Sequence, residues 1–117
     1  MKSATYIISL AAGLLLPAVS AASDYSCNFK TECYESEACA ESDFTVEIRS
    51  GEDKFVTDFG TFPILAKRDT AAILTVFVHT EGAVYLMSSG PRAARLTVHI
   101  TDGPQSLTYL GQCEKVG

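Results

Sequence analysis

The chain has no tryptophan, only two histidines and four cysteines among its 117 residues, and no glycine-rich phosphate loop, nucleophile motif or closely spaced cysteine pair. Lacking those motifs, the sequence offers no nucleotide cradle and no zinc knuckle, whose thiolates come two to four residues apart. Basic residues are scarce as well, with nine Lys and Arg against fourteen Asp and Glu. Such a surface repels phosphate backbones and anionic headgroups, which argues against nucleic-acid or membrane-surface binding. Long apolar runs are missing too. The run from Tyr6 to Leu16 falls short of the roughly 20 residues a membrane span needs.

That run follows Lys2 and precedes Pro17 and the small residues Val19-Ser20-Ala21-Ala22-Ser23. The order of charged, apolar and small segments is that of a secretory signal. Residues 1–22 are therefore expected to be removed, leaving residues 23–117 as one domain, periplasmic or secreted and free of the membrane. Only Lys2 of the charged residues leaves with the signal, so eight basic residues face fourteen acidic ones, a formal net of −6. A domain this small has a thin apolar core and needs covalent support.

Cys27, Cys33, Cys39 and Cys113 supply it: an even count in an exported chain reads as two disulfides. Of the three connectivities, Cys27 with Cys113 and Cys33 with Cys39 is favoured. The first closes most of the domain into one loop and the second pins a short segment. No metal and no cofactor is expected.

After the signal, short runs of β-branched and aromatic residues alternate with turn signals every eight to twelve residues. Tyr25, Cys27 and Phe29 share one parity of a first strand. Phe44, Val46 and Ile48 do so in a second, and Lys54–Phe59 forms a third. Thr61–Ala66 contains Pro63 and belongs at an edge or bulge if it is a strand at all. Lys67-Arg68-Asp69 reads as a turn, followed by the apolar run Ala71–Thr80, then by Ala83–Ser88, by Ala94–Thr101 and by a last strand with Leu107, Tyr109, Gly111 and Cys113 on one parity. Glu32–Ser42 is too short and too cysteine-pinned for a stable helix and reads as a disulfide loop with at most one helical turn. The expected fold is all-β: a small antiparallel meander barrel, or a sandwich, of seven to eight strands with an N-terminal disulfide loop. The shared parity of Cys27 and Cys113 favours the barrel, with their bond locking first strand to last.

His79 and His99 fall on different strands with no nucleophile spaced to meet either, so an ordinary strand position suits both. The acidic segment around Glu35 and Glu37 lacks the central glycine and alternation of a calcium loop. It reads as a solvated loop or as a docking loop for a basic protein. The turn holding Ser89, Gly90 and Arg92 is a second candidate partner contact. Apolar residues on both parities of Ala71–Val78 imply that something covers the second face of that strand.

The layout of Cys27 in a short first strand, many β-strands, and Cys113 closing Tyr109-Leu110-Gly111-Gln112-Cys113 resembles small periplasmic disulfide-bridged barrels, among them the inhibitors of C-type lysozyme. That resemblance implies an inhibitor-like module. The inhibitors carry a Ser-Gly-x-x-Tyr loop, whereas here Ser89-Gly90 continues as Pro91-Arg92-Ala93. The expected function is thus a non-catalytic exported module that binds a protein partner. A barrel holding a small apolar ligand, suggested by the phenylalanines, is the alternative.

Overall fold

The computed structural model describes residues 23–116, so the expected signal, residues 1–22, lies outside the described residues. Eight strands follow one another: β1 (Tyr25–Tyr34), β2 (Ala40–Arg49), β3 (Lys54–Thr57), β4 (Gly60–Asp69), β5 (Leu74–His79), β6 (Ala83–Ser89), β7 (Ala94–Ile100) and β8 (Gln105–Lys115). Each pairs antiparallel with its sequence neighbour, and β1 also pairs with β8, so the sheet closes into an up-and-down barrel. Closure removes both sheet edges and rules out the sandwich.

Period-two alternation drives this arrangement. Phe29, Ile48, Phe55, Val76, Val78, Met87 and Leu96 all point inward and are almost wholly buried. Each contributes roughly 1.5 to 3 kcal/mol by leaving water. Together they fill the barrel axis with side chains.

The seam carries the first disulfide. Cys27 sits directly opposite Cys113 with their Cα atoms 3.9 Å apart, in a β1–β8 ladder that runs from Tyr25 and Lys115 to Tyr34 and Leu107. Two residues away, Gly111 lies opposite Phe29. A Cβ there would land on the Asn28 carbonyl oxygen and 2.6 Å from Phe29 Cα, so only glycine lets the two backbones approach this closely.

The second disulfide, Cys33–Cys39, spans the β1–β2 hairpin, so the disulfide loop lies between the first two strands and is not clearly N-terminal. β1 runs on to Tyr34 through a bulge near Lys30, and β2 begins at Ala40. The segment Glu32–Ser42, expected to be a disulfide loop with at most one helical turn, is therefore two strand ends and a tight turn. Its bridge ties the two strand ends together across the turn.

Other boundaries also differ from the sequence reading, among them the start of β5 at Leu74 instead of Ala71. Asp58 and Phe59 form the β3–β4 turn instead of ending β3, and Lys67-Arg68-Asp69 continue β4 instead of turning. A register shift between Ile64 and Ala66 explains the continuation of β4. The extra residue moves the inward parity from Phe62 and Ile64 to Lys67 and Asp69, so an apparent polar turn is a strand whose polar side chains face the barrel end. Pro63 is tolerated because the β4–β5 ladder begins only at Ile64 and Val78, and the Ile64 amide donates to Asp53 on the other side.

Candidate functional site

In an up-and-down barrel the connections alternate between two ends, and here they differ in charge. The β1–β2, β3–β4, β5–β6 and β7–β8 turns carry Glu35 and Glu37, Asp58, Glu81, and Asp102. None of the four contains Lys or Arg. Glu32, Glu41 and Asp43 on the adjoining strand ends bring this acidic end to eight of the fourteen carboxylates, with Lys30, 4.0 Å from Asp43, as the one basic neighbour. The opposite end holds Arg49, Lys54, Lys67, Arg68, Arg92, Arg95 and Lys115, seven of the eight basic residues after Lys2.

Aromatic rings gather at the acidic end. Phe44 stacks on Tyr109 with centroids 4.8 Å apart, and Phe29 below meets Tyr109 edge-on at 6.2 Å. Phe59, at the tip of the β3–β4 turn, is 78% exposed and lies 6.2 Å from Phe44. Phe62 and Tyr85 stack at 6.5 Å on the facing wall. Burial pushes the Tyr85 phenol up from its ordinary pKa; burial, then the Glu32 carboxylate, then Tyr85 do the same to Tyr109. Both phenols stay neutral donors across the physiological range. The arrangement offers ring faces and carboxylates to a cation or a basic side chain.

The opposite end is closed by a polar network. Lys67 Nζ donates to the Ser50 carbonyl (3.0 Å) and to Asp53 (3.3 Å), the Ser50 amide donates to Asp24 Oδ1 (3.0 Å), and the Tyr25 hydroxyl donates to Asp69 (3.3 Å). Burial, then Asp69, raises the Tyr25 pKa. A cleft of about 310 Å³ lies beside this network, between the Thr70–Ile73 and Gly90–Pro91 loops. Asn28 Oδ1 and Ser50 Oγ are buried without a partner among the described residues.

The sequence-predicted contact residues do not form one site. Glu35 and Glu37 sit in the hairpin at the acidic end; Ser89, Gly90 and Arg92 sit in the β6–β7 connection at the other. Glu35 is engaged structurally: with φ at 51° its amide donates to the Ser106 carbonyl (3.2 Å), and its Oε2 accepts from the Ser106 amide (2.6 Å). Glu37 is exposed. Ser89 is buried, the Gly90 amide donates to the Ala93 carbonyl (2.9 Å), and Arg92 is exposed with its carbonyl accepting from Gln112 Nε2 (3.3 Å).

His79 and His99 both face outward and each pairs with Val84, so β6 separates them by two strand spacings, about 10 Å. They do not converge. Among the described residues no group of three or more His, Cys, Asp or Glu is placed to hold a metal ion. Phe77, the outward apolar residue of β5, is flanked by its cross-strand neighbours Ala66 and Leu86, and Leu86 is 47% exposed. Sequence reasoning missed the convergence of Phe44, Phe59 and Tyr109 with the acidic turns. Once a meander was inferred, the carboxylate in every second turn was the available signal. Comparison of the chain with family models, curated proteins and solved structures returned no match.

Proposed function

We propose that this protein is an exported, non-catalytic binding module whose acidic end docks a basic protein partner. The observation that carries the reading is the segregation of charge along the barrel: every connection at one end bears a carboxylate and none bears Lys or Arg, around a half-exposed aromatic cluster. Long-range attraction raises the encounter rate with a cationic surface, and desolvated aromatics supply the short-range energy that charges at the rim do not. The Cys33–Cys39 bridge and the Glu35–Ser106 bonds hold the hairpin in place before contact, so little ordering entropy is lost on docking. Two disulfides fit a non-reducing compartment, and no described helix is long and apolar enough to cross a membrane. The alternative, an apolar ligand inside the barrel, draws no support from an axis filled by Phe29, Phe55 and Met87.

The resemblance to inhibitors of C-type lysozyme supplies a concrete basic partner. Titrating the disulfide-intact protein into such a lysozyme by calorimetry should give micromolar or tighter binding that weakens as salt rises from 20 to 200 mM, with a parallel fall in lysozyme activity. A salt-dependent interaction without inhibition keeps the basic partner and removes the lysozyme. Absence of binding to lysozyme and to a second basic protein at 100 μM overturns the reading.

A further inference from the structure

At the opposite end the outer wall carries a groove of different chemistry. It runs beside the Gly90–Ala93 loop over β7 and β8, with Ile73, Pro91, Ala93 and Leu110 as its apolar surface and Arg92 and Arg95 as its only charged groups. Ile73 is 47% exposed in the β4–β5 loop and lines the groove together with Pro91, Ala93 and Leu110. Neither guanidinium has an ion-pair partner among the described residues. On a domain with a net charge of −6, a groove lined by two arginines and no carboxylate is a local reversal of sign.

The site is also held in shape. The Gly90 amide donates to the Ala93 carbonyl (2.9 Å), and Gln112 on β8 donates to the Arg92 carbonyl (3.3 Å), which pins the loop against the barrel wall. Across the groove, Thr70 Oγ1 accepts from the Ala72 amide (3.2 Å) and the Ile73 amide (3.0 Å) and fixes the loop that presents Ile73. A second depression shares Arg92, Ala93, Leu110 and Gly111 with the first and continues over β1 past Asn28, where Lys30 and Glu114 join its lining, so the carboxylate-free stretch is the first depression alone. The shared residues make the two one continuous trough along the outer wall.

The geometry points to a second binding surface, independent of the acidic end: the trough accepts an acidic, apolar peptide segment of a partner protein. Planar guanidinium groups take carboxylates bidentately, and the Ile73–Leu110 surface takes the intervening apolar side chain. Because the barrel is closed, no strand edge is open to backbone pairing, and recognition here runs through side chains.

The test is a two-dimensional amide NMR titration of the whole domain with acetylated Leu-Glu-Leu-Glu, with Leu-Gln-Leu-Gln as the neutral control. Shifts are expected at Ala93, Arg95, Leu110 and Gly111, saturating at least tenfold earlier for the glutamate peptide. They should vanish in the Arg92→Ala/Arg95→Ala variant, whose thermal melt, unchanged because both side chains are exposed, shows that the fold survives. Arg92→Lys should retain part of the affinity. Equal response to both peptides, or shifts that persist in the double variant, overturns the proposal. So does saturation by decanoate at concentrations where the peptide has no effect, which assigns the trough to a lipid anion instead.

Discussion

Replacing Gly111 with alanine tests the closure of the barrel at its tightest point. The added methyl would overlap the Asn28 carbonyl oxygen and lie 2.6 Å from Phe29 Cα and 2.8 Å from the Asn28 carbonyl carbon. All three are backbone atoms of β1, so no side chain can rotate away. Relief requires β1 and β8 to separate, and Cys27–Cys113, two residues along the same ladder, resists that movement. Overpacking in a well-packed interior costs about 1 to 3 kcal/mol, and a backbone clash belongs at the upper limit. In a domain of this size, 1 kcal/mol shifts Tm by about 4 to 8 °C, so Gly111→Ala should lower it by about 10 to 20 °C. Gly51 and Gly103 have nothing within 4 Å of an added Cβ and serve as controls. Their alanine variants should melt within about 3 °C of the parent, the range of an ordinary surface change. Circular dichroism melts of the three variants under non-reducing conditions decide the matter. A Gly111→Ala melt indistinguishable from the controls would refute the close seam.

Further consequences can be checked on the same protein. Replacing both Cys27 and Cys113 with serine frees a loop of 86 residues and should cost roughly 4.5 kcal/mol in urea denaturation, whereas losing the six-residue Cys33–Cys39 loop should cost roughly 2. The reverse order would contradict the role given to the seam. Tyr25, Tyr85 and Tyr109 have phenols raised by burial, so folding favours their neutral form. The stability this contributes is complete below the unfolded value near 10 and is lost as pH rises through the raised folded values. Phenolate absorbance should show part of the tyrosine titrating late and together with alkaline unfolding; early titration of all four tyrosines after residue 22 would exclude it. Glu35→Ala removes the acceptor for the Ser106 amide and should cost about 1 kcal/mol, whereas Glu35→Gly should cost less by relieving the positive φ, as compared by chemical denaturation.

Much of the fold was legible because its physics is local. The parity of Cys27 with Phe29, and of Leu107, Tyr109 and Gly111 with Cys113, marked the inward faces of the first and last strands, and the signal-like order of residues 1–22 made a bond between them a reasonable expectation. What the pattern could not show were the irregularities. The shift after Ile64 inverts which residues of β4 face inward, and nothing in Leu65-Ala66-Lys67 signals an inserted residue. The bulge near Lys30 hides in the same way, and with it the continuation of β1 into the acidic hairpin. The sites were less legible than the strands. Glu35 and Arg92 each looked like a loop contact, but which end of the barrel a loop occupies depends on the count of strands before it. Counting one doubtful strand at Pro63 decided whether they shared a surface. The aromatic cluster depends on three-dimensional closure, since Phe44, Phe59 and Tyr109 lie on three separate segments.

The central claim is that the acidic end of the barrel recognises a basic partner, and charge reversal there tests it most directly. Affinity for a C-type lysozyme or another basic protein should be measured for the parent and for Asp58→Lys/Glu81→Lys/Asp102→Lys, three exposed turn positions outside the disulfide-bonded hairpin. The expected result is a loss of at least tenfold, about 1.4 kcal/mol, together with a flatter salt dependence and an unchanged melt. Unchanged affinity in the folded triple variant would contradict the claim.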